Sequence, residues 1–358
     1  MKIFINGRFL TQKITGTQRN SFELTKHLLP LIKDAVVLVP NDEINTNYEI
    51  KSWPLLRTGK LKGVLWEQLD LPLFLKKQKE KSLLLNLTNT APLLYSNQIV
   101  SVMDMTTFIE PAWFNKKFAY YYQWLIPKIV KRSRAVFTIS ENSKRDIIKF
   151  TGIDESKIKV LYCGISEIFL DGSASRSDII ERLGLQRHSY LMAVSSLDPR
   201  KNFRKLIESF FETDIKVPLV IVGSGGKAFR DAGFPQYDTS RVLFTGDISD
   251  EDLKQLYNSS LCFVYPSLYE GFGIPPLEAM ACGCATVVAN TSSLPEVCND
   301  ASLYIDPLDS KSIAAAIKEV VSNETLRVSL VTKGFENVKR FSWKSTATKA
   351  LREIQQVI

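Results

Sequence analysis

Short apolar runs alternate with polar stretches of helical periodicity along most of this chain. Apolar runs of this length, bounded by turn residues, are typical of buried strands. In the first half we predict strands at residues 2–6, 36–39, 83–87, 99–103, 135–139 and 157–161. The second half repeats the alternation, with predicted strands at residues 191–195, 219–222, 242–244, 261–265 and 285–289.

Helical segments lie between these runs. Pro275 and Pro276 suit the first turn of one helix, and Gly283 suits its end. Strands that alternate with helices imply parallel sheets with crossover helices, which is the α/β fold class. The other predicted helices follow Gly16 and occupy residues 203–211, 250–257, 312–321, 324–339 and 343–357.

Chain length indicates two domains. A chain of 358 residues is long for one hydrophobic core and natural for two. The segment from Gly164 to about Ser177 is rich in Gly, Ser, Ala and Asp, and we predict that it links the two domains.

The composition is that of an ordinary soluble protein, with 45% hydrophobic and 23% charged residues. No apolar run approaches the roughly 20 residues that a membrane span needs, and the first residues resemble a strand more than a signal peptide. The five cysteines are odd in number and lie in mostly apolar surroundings, so we predict reduced thiols and a cytoplasmic protein. Two histidines, and a Cys282–Cys284 spacing too short for zinc, predict no metal site.

The positive charge is concentrated in the first half. Residues 1–168 hold 25 Lys and Arg against 15 Asp and Glu, a net +10, and the remainder holds 21 against 23, a net −2. A basic half suggests an acidic partner, such as anionic lipid head groups or a diphosphate-bearing lipid. No nucleic-acid recognition motif is present, so we predict no nucleic-acid partner. A solvated basic surface without a partner is the alternative.

Residues 113–134 mix aromatic and basic side chains. This mixture suits a membrane interface, with aromatic rings at head-group depth and lysines reaching outward. A core helix with a solvated basic face is the alternative interpretation.

The richest chemistry lies in residues 267–283. Gly271 and Gly273 allow a close backbone approach to a ligand, and with the helix start that follows they predict an anion pocket. Glu270 and Glu278 flank this pocket and could accept hydrogen bonds from hydroxyl groups. Phosphates beside hydroxyls describe a sugar nucleotide. Alternatively, Glu278 serves the helix dipole, Glu270 is an ordinary loop acid, and Phe272 only packs.

Arg200 and Lys201 follow a predicted strand and open a helix. Two cations in this position can neutralise a diphosphate without a metal ion, through charge-assisted hydrogen bonds. A solvated Arg–Lys pair is the alternative.

A competing pattern begins at Gly223. Residues 223–228 satisfy the loose dinucleotide pattern G-x-G-x-x-A, with Asp247 about 20 residues further on. This pattern would indicate an NAD-dependent oxidoreductase. Gly233, Pro235 and the lack of a convincing helix after the glycines weaken that interpretation.

Residues 270–278 resemble the paired-glutamate motif of the family 4 retaining glycosyltransferases, whose fold is called GT-B. The resemblance continues, in order, over most of the chain, through residues 140–146, 198–202, 294–297 and 306–307. Three positions depart from the family pattern: Met103 precedes Asp104 where relatives carry His, Cys163 replaces an Asn, and Ser196 replaces an Arg.

The resemblance implies two Rossmann-like, doubly wound parallel-sheet domains that face an interdomain cleft. An acceptor-binding domain would span residues 1–168, a donor-binding domain 169–340, and a final helix, 341–358, would pack back on the first domain. The implied activity transfers a sugar, with retained configuration, from a GDP-, UDP- or dTDP-sugar to a glycan or lipid-linked glycan. The setting would be assembly of surface polysaccharide, such as the O-antigen of lipopolysaccharide, in the cytoplasm or at the inner face of the membrane. No cofactor is expected, and a non-catalytic sugar-nucleotide-binding protein is a further alternative.

The predicted site consists of a catalytic set and a donor-binding set. Lys201, Arg200 and the amides of residues 271–273 would stabilise the departing diphosphate. Glu278 would accept hydrogen bonds from ribose hydroxyls, and Glu270 from hydroxyls of the transferred sugar. Because Lys201 would pair with the diphosphate, Lys201→Ala should cut turnover and leave the fold intact. Asp104, just past a strand end, completes the predicted catalytic set of Glu270, Lys201, Arg200 and Asp104. The predicted donor-binding set is Glu278, Gly271, Phe272, Gly273, Ile274, Gly223, Ser196, Gly16 and Thr17.

Overall fold

The computed structural model describes residues 1–172, 177–194, 198–223 and 239–358. They form two compact units. Unit 1 comprises Met1–Gly164 together with Phe341–Ile358, and unit 2 comprises Ile165–Arg340.

Unit 1 is built on a seven-stranded sheet in which every pairing is parallel. The strand order is β3-β2-β1-β4-β5-β6-β7, so the order reverses between β1 and β4. At that reversal Phe4 lies opposite Leu84. The strands are β1 Lys2–Asn6, β2 Val36–Val39, β3 Leu55–Arg57, β4 Ser82–Asn86, β5 Gln98–Ser101, β6 Ala135–Thr138 and β7 Ile158–Val160.

The helices of unit 1 cover both faces of this sheet, as parallel strands with crossover connections require. They are α1 Gly16–Leu28, α2 Gly63–Leu65, α3 Leu71–Lys76, α4 Thr106–Ile109, α5 Lys116–Arg132, α6 Glu141–Thr151 and the C-terminal helix Trp343–Val357. A π-helical turn, Trp66–Asp70, joins α2 to α3, and 3₁₀ turns occupy Gly7–Thr11, Leu29–Leu31, Pro111–Trp113 and Glu155–Lys157.

Unit 2 repeats the plan with six parallel strands in the order β10-β9-β8-β11-β12-β13. Here the order reverses between β8 and β11. Its strands are β8 Leu191–Val194, β9 Leu219–Val222, β10 Val242–Gly246, β11 Cys262–Tyr265, β12 Thr286–Ala289 and β13 Leu303–Ile305. Its described helices are α7 Glu167–Leu170, α8 Ile179–Arg182, α9 Phe203–Phe211, α10 Asp250–Ser259, α11 Ile274–Ala281, α12 Leu294–Cys298, α13 Ser310–Ser322 and α14 Glu324–Val338, with 3₁₀ turns at Pro199–Lys201 and Thr239–Arg241.

Each unit has its own hydrophobic core. In unit 2, α9 packs Phe203, Leu206 and Phe210 onto the inner residues of the sheet, such as Leu191 and Val264. In unit 1, the apolar face of α5 covers β5 and β6 in the same way. The doubly wound α/β architecture predicted from the apolar runs is therefore confirmed.

The C-terminal helix, α15 (Trp343–Val357), belongs to unit 1 and packs against α1. Thr346 donates a hydrogen bond to the carbonyl of Tyr162 at 2.7 Å. Gly164 lies so close to Trp343 that any Cβ at this position would overlap the Trp343 backbone nitrogen. A residue without a side chain is therefore required where the chain leaves β7 and meets its own last helix.

Two local expectations need correction, and a third lies outside the described residues. The predicted linker from Gly164 to Ser177 contains a helical turn, α7, whose Phe169 is buried, and residues 173–176 lie outside the described residues. Strands β3 and β13 were not expected because each has only three residues. The predicted strand end at Ser195 also lies outside the described residues.

Candidate active site

The strand order of unit 2 brings two loops together. β8 and β11 are parallel neighbours, with Cys262 opposite Leu191, and the strand order reverses between them. The carboxyl ends of neighbouring parallel strands lie at the same edge, and a reversal point leaves a crevice there. The segment after β8 leads to the 3₁₀ turn Pro199–Lys201, and the segment after β11 leads to the glycine loop and α11.

Hydrogen bonds fasten the two loops to each other. Asp198 caps the 3₁₀ turn by accepting from the backbone N–H of Arg200 at 2.9 Å. Asn202 adopts a left-handed conformation, which Asn tolerates well, and donates to the carbonyls of Pro266 and Pro307 at 3.2 and 2.7 Å. Leu268 N–H donates to the carbonyl of Arg200 at 2.9 Å. The position of Lys201 relative to the glycine loop is therefore fixed by a backbone bond at Arg200 and side-chain bonds at Asn202.

At the junction of these loops lies a buried charged network. Lys201 Nζ is 2.6 Å from Glu270 Oε1 and donates to Tyr265 Oη at 3.0 Å. Tyr265 Oη in turn donates to Glu270 Oε1 at 2.7 Å. The guanidinium of Arg200 lies 3.6 Å from the other carboxylate oxygen, Oε2. Lys201 and Glu270 are only 7% and 6% exposed, so this ion pair is shielded from solvent.

The surroundings fix the ionisation of Glu270. Burial by itself would raise the pKa of this carboxyl, but the charges of Lys201 and Arg200 outweigh burial and lower the pKa to about 2. Glu270 is therefore an anion and only accepts hydrogen bonds at neutral pH. Burial lowers the pKa of Lys201, and the nearby Glu270 carboxylate opposes that shift.

The network brings together residues that were predicted from the sequence to bind different parts of the donor. Lys201 and Arg200 were predicted to hold a diphosphate and Glu270 to hold a sugar, whereas here Lys201 and Glu270 bind each other. These side chains have enough hydrogen-bond donors and acceptors to bind each other and a ligand at the same time. An ammonium has three N–H donors and a guanidinium has five, and a carboxylate has about four acceptor positions.

The glycine loop is held in a conformation that needs glycine. Gly273 has φ +114°, and a Cβ at this position would lie 2.7 Å from Leu294 Cδ2. The hydroxyl of Ser293 lies within hydrogen-bond distance of the carbonyls of Glu270 and Phe272, at 2.9 and 2.7 Å. Ser292 accepts from the backbone N–H of Glu270 at 2.9 Å. These contacts fix the path of residues 270–273 into α11.

The anion pocket at the start of α11 has fewer donors than the sequence argument assumed. The helix begins at Ile274, and Pro275 and Pro276 have no backbone N–H. Two of the N–H groups that a helix start normally offers are therefore missing. The pocket depends on the amides of the loop and of Ile274.

Glu278 lies four residues inside α11 and is 6% exposed. Its Oε2 accepts from Tyr257 Oη at 3.4 Å. Because no acidic residue occupies the first turn of this helix, the helix dipole does not account for Glu278. Glu270 and Glu278 thus lie on either side of the start of α11, Glu270 before the glycine loop and Glu278 within the helix.

The remaining predicted residues lie elsewhere. Gly223 directly follows β9 and donates its N–H to the carbonyl of Gly246 at 3.1 Å. Ser196 lies outside the described residues, as do residues 224–228 of the dinucleotide pattern. In unit 1, Gly16 and Thr17 form the first turn of α1. Asp104 accepts from the N–H and the hydroxyl of Thr106, the first residue of α4, at 3.0 and 2.5 Å.

Sequence reasoning missed several residues of this site. Tyr265, Ser293 and Tyr257 were not singled out, although all three touch the predicted ones. A signal existed for Tyr265, because it is a polar-tipped residue at the carboxyl end of a buried strand. In the described ranges, no group of three or more His, Cys, Asp or Glu side chains is arranged to hold a metal ion.

Comparison with known proteins defines the class. Residues 175–337 match the family model described as "Glycosyl transferases group 1". The chain is 32% identical over 294 residues to "O-antigen chain mannosyltransferase RfbU" of Salmonella typhimurium, which covers 80% of this chain and 76% of that protein. It is 29% identical over 263 residues to "O-antigen chain mannosyltransferase B" of Escherichia coli, covering 71% and 68% of the two chains.

A solved structure of Anabaena HepE, in complex with UDP and glucose, shares the fold. It superposes with a TM-score of 0.79 at 21% identity, over 99% of this chain and 100% of that one. The GT-B architecture is therefore confirmed, and the protein is a glycosyltransferase. The chain belongs to the glycosyl transferases group 1 family. None of these comparisons supports the oxidoreductase alternative.

Proposed function

We propose that this protein transfers mannose from a nucleotide-linked donor to a hydroxyl of a growing O-antigen glycan, with retained anomeric configuration. The observation that carries the proposal is the buried network of Lys201, Glu270 and Tyr265 beside Arg200, at the reversal point of the sheet in unit 2. The choice of mannose and of the O-antigen rests on the names of the two mannosyltransferase relatives. The donor is a GDP-, UDP- or dTDP-sugar.

In this proposal, unit 2 holds the donor diphosphate without a metal ion. Negative charge develops on the phosphate oxygen as the bond from the sugar to the diphosphate breaks. Fixed cations and amides aimed at that oxygen stabilise the charge with little reorganisation. Lys201, Arg200 and the N–H groups of the glycine loop supply them, and Glu270 holds Lys201 in place through the 2.6 Å contact.

The two glutamates recognise the sugars of the donor. The Oε2 of Glu270 accepts from a hydroxyl of the transferred sugar, since Oε1 is already engaged by Lys201 and Tyr265. Glu278 accepts from ribose hydroxyls. The new bond forms between the sugar carbon and the acceptor oxygen, on the face that the phosphate leaves. The departing phosphate oxygen takes the acceptor proton, so no protein base is assigned.

The glycan or lipid-linked glycan acceptor is assigned to unit 1, where Asp104 lies three residues beyond the end of β5. We also propose that unit 1 contacts anionic lipid at the cytoplasmic face of the membrane. Two features support this contact: the net charge of +10 in residues 1–168, and three exposed aromatic residues on α5, Phe118, Tyr120 and Trp124. In the described part of the chain, no helix is both long enough and apolar enough to span a bilayer.

A transfer assay tests the activity. Purified protein is mixed with GDP-mannose, or with UDP- and dTDP-sugars, and with α-mannobiose as acceptor. We expect acceptor-dependent release of nucleotide, and an α-linked product in the proton NMR spectrum. Lys201→Met should lower turnover by about 10²–10³, as for loss of one group that stabilises the departing charge.

Lys205→Met is the matched control, because Lys205 on α9 is more than one-third exposed and pairs only loosely with Glu208, at 3.7 Å. It should keep wild-type activity. Full activity of a folded Lys201→Met protein would refute the assigned role, and the absence of transfer from every donor would refute the function.

A further inference from the structure

Unit 1 carries a second buried charged cluster, at the position equivalent to the network in unit 2. The strand order of unit 1 reverses between β1 and β4. Arg8 lies two residues beyond the end of β1, and Thr90 lies four residues beyond the end of β4. Like Lys201 and Glu270, these side chains occupy the edge at which open parallel sheets bind ligands.

The cluster centres on an ion pair between Arg8 and Glu67. Arg8 Nη1 donates to Glu67 Oε2 and, at 3.3 Å, to Thr90 Oγ1. Thr90 Oγ1 donates to the same Glu67 oxygen at 3.1 Å. Glu67 is fully buried, and the Arg8 side chain is 13% exposed. Burying a carboxylate costs desolvation free energy even when Arg and Thr bind it. Fold stability alone therefore does not explain why Glu67 is buried here.

Three polar atoms of this cluster have no protein partner. In the described part of the chain, Glu67 Oε1, Arg8 Nε and Tyr121 Oη are buried without a hydrogen bond. Buried polar groups in native proteins are almost always bonded to protein, ligand or ordered water, so these three atoms have hydrogen-bonding capacity left for a bound molecule. The charges of Glu67 and Arg8 both influence the pKa of Tyr121, which burial raises, so its hydroxyl belongs to the same electrostatic environment.

The backbone around Glu67 is fixed in advance. Glu67 lies in the π-helical turn Trp66–Asp70, and π turns are frequent at functional sites. Fully buried Trp66 donates from its indole to the carbonyl of Thr58 at 2.7 Å. Asp70 accepts from the N–H groups of Lys60 and Leu61, both at 2.7 Å. The turn is therefore anchored on both sides of Glu67.

We propose that Arg8, Glu67 and Tyr121 form a subsite that binds hydroxyl groups of the acceptor glycan. This inference rests on the proposed function. The three atoms offer one acceptor, Glu67 Oε1, one donor, Arg8 Nε, and one group that can do either, Tyr121 Oη. A sugar hydroxyl donates one hydrogen bond and accepts others, so neighbouring hydroxyls satisfy this set. Because Arg8 and Glu67 neutralise each other, the subsite selects an uncharged polyol over an anion.

Tyr121→Phe is the decisive variant, because it removes only an oxygen that has no protein partner. A structural role predicts unchanged or higher thermal stability and no kinetic effect. The subsite predicts that the KM for α-mannobiose rises about tenfold, as for one lost hydrogen bond to a ligand, while the KM for the nucleotide sugar stays within about twofold. Tyr120→Phe is the control, since the neighbouring Tyr120 is 72% exposed. Glu67→Gln should raise the acceptor KM further, provided that the protein stays folded by circular dichroism.

Direct binding separates this inference from the proposed function. Binding of α-mannobiose alone is measured by saturation-transfer NMR on wild type and on Tyr121→Phe. Weaker binding by Tyr121→Phe supports the subsite even if no nucleotide sugar is turned over, and that second result would count against the proposed function only. Equal binding by both proteins, or no binding by wild type at millimolar sugar, would overturn the subsite.

Discussion

At the scale of single residues, the Lys201–Glu270 pair is the feature that sequence reasoning could not supply. Both residues were identified from their motifs, because cations after one strand and an acid after another are visible in the chain. Their contact depends on β8 lying beside β11, and 69 residues separate the two partners in sequence. The pair also changes what their mutation should do. Lys201→Ala was expected to leave the fold intact, but removing Lys201 leaves a carboxylate buried beside Tyr265.

We therefore predict strong coupling between these two residues. Lys201→Met or Glu270→Gln alone should lower the free energy of unfolding by about 3–5 kcal/mol, because each leaves one charge buried without its partner. The double variant should cost less than the sum, with a coupling of about 1–3 kcal/mol in urea unfolding. The exposed pair Lys339–Glu336, at 2.7 Å, is the control and should show a coupling of about 0–1 kcal/mol. Additive effects at Lys201 and Glu270 would contradict a direct ion pair.

The same variants have a predicted pH dependence. The pKa of Glu270 is lowered from 4.5 to about 2 in the folded protein, so the folded state favours the anion. The stability from this shift is fully present above pH 4.5 and is lost as the pH falls towards 2. The difference in unfolding free energy between wild type and Glu270→Gln should thus be constant above about pH 5 and shrink below pH 4.5. A difference that grew on acidification would refute the lowered pKa.

At the scale of elements, the loop between β11 and α11 was the most predictable part of the site. The apolar run, the two glycines and the Pro-Pro pair define strand, loop and helix start in sequence order. What the chain could not reveal is that Ser293, in a later element, fixes the loop carbonyls. The short strands β3 and β13 were not predicted from the sequence, for a different reason. Three residues are too few for a periodic pattern, and all three residues of β3 are exposed.

Gly273 should be the most sensitive glycine of this loop. Gly273→Ala would force an L-residue into φ +114° and push a Cβ to 2.7 Å from Leu294 Cδ2. We predict a loss of about 1–3 kcal/mol in the free energy of unfolding, together with weaker binding of GDP or UDP by calorimetry. Gly172→Ala is the control, because a Cβ there has no neighbour within 4 Å and the backbone needs no left-handed conformation. Equal stability of the two variants would show that the loop does not require Gly273.

At the scale of the whole molecule, one architectural plan is used twice. Both sheets are parallel, and both reverse their strand order beside the first strand of the unit. Each reversal point carries a buried cation–glutamate pair, Arg8–Glu67 in unit 1 and Lys201–Glu270 in unit 2. The fold class followed from the alternation of apolar runs and helices. The Arg8–Glu67 pair could not be predicted from the sequence, because the two residues lie far apart in the chain and no motif includes both.

The uneven charge of the chain predicts binding to anionic lipid. Wild-type protein should sediment with vesicles that contain phosphatidylglycerol and much less with pure phosphatidylcholine, and 0.5 M salt should weaken the binding (~3–5 Å screening length). The double variant Tyr120→Ser/Trp124→Ser should bind several-fold more weakly, since both rings are exposed on α5. Leu308→Ser is the control, because Leu308 is 74% exposed in unit 2. Equal sedimentation of all three proteins would remove α5 from the lipid contact.

The packing of α15 against α1 has a consequence for biosynthesis. Unit 1 is completed by Phe341–Ile358, which leave the ribosome after every residue of unit 2. The face of α1 that packs against α15 therefore stays uncovered until the whole of unit 2 has been synthesised. Unit 2 can therefore fold before unit 1 is complete. A chain truncated before Trp343 would lack the helix that covers α1.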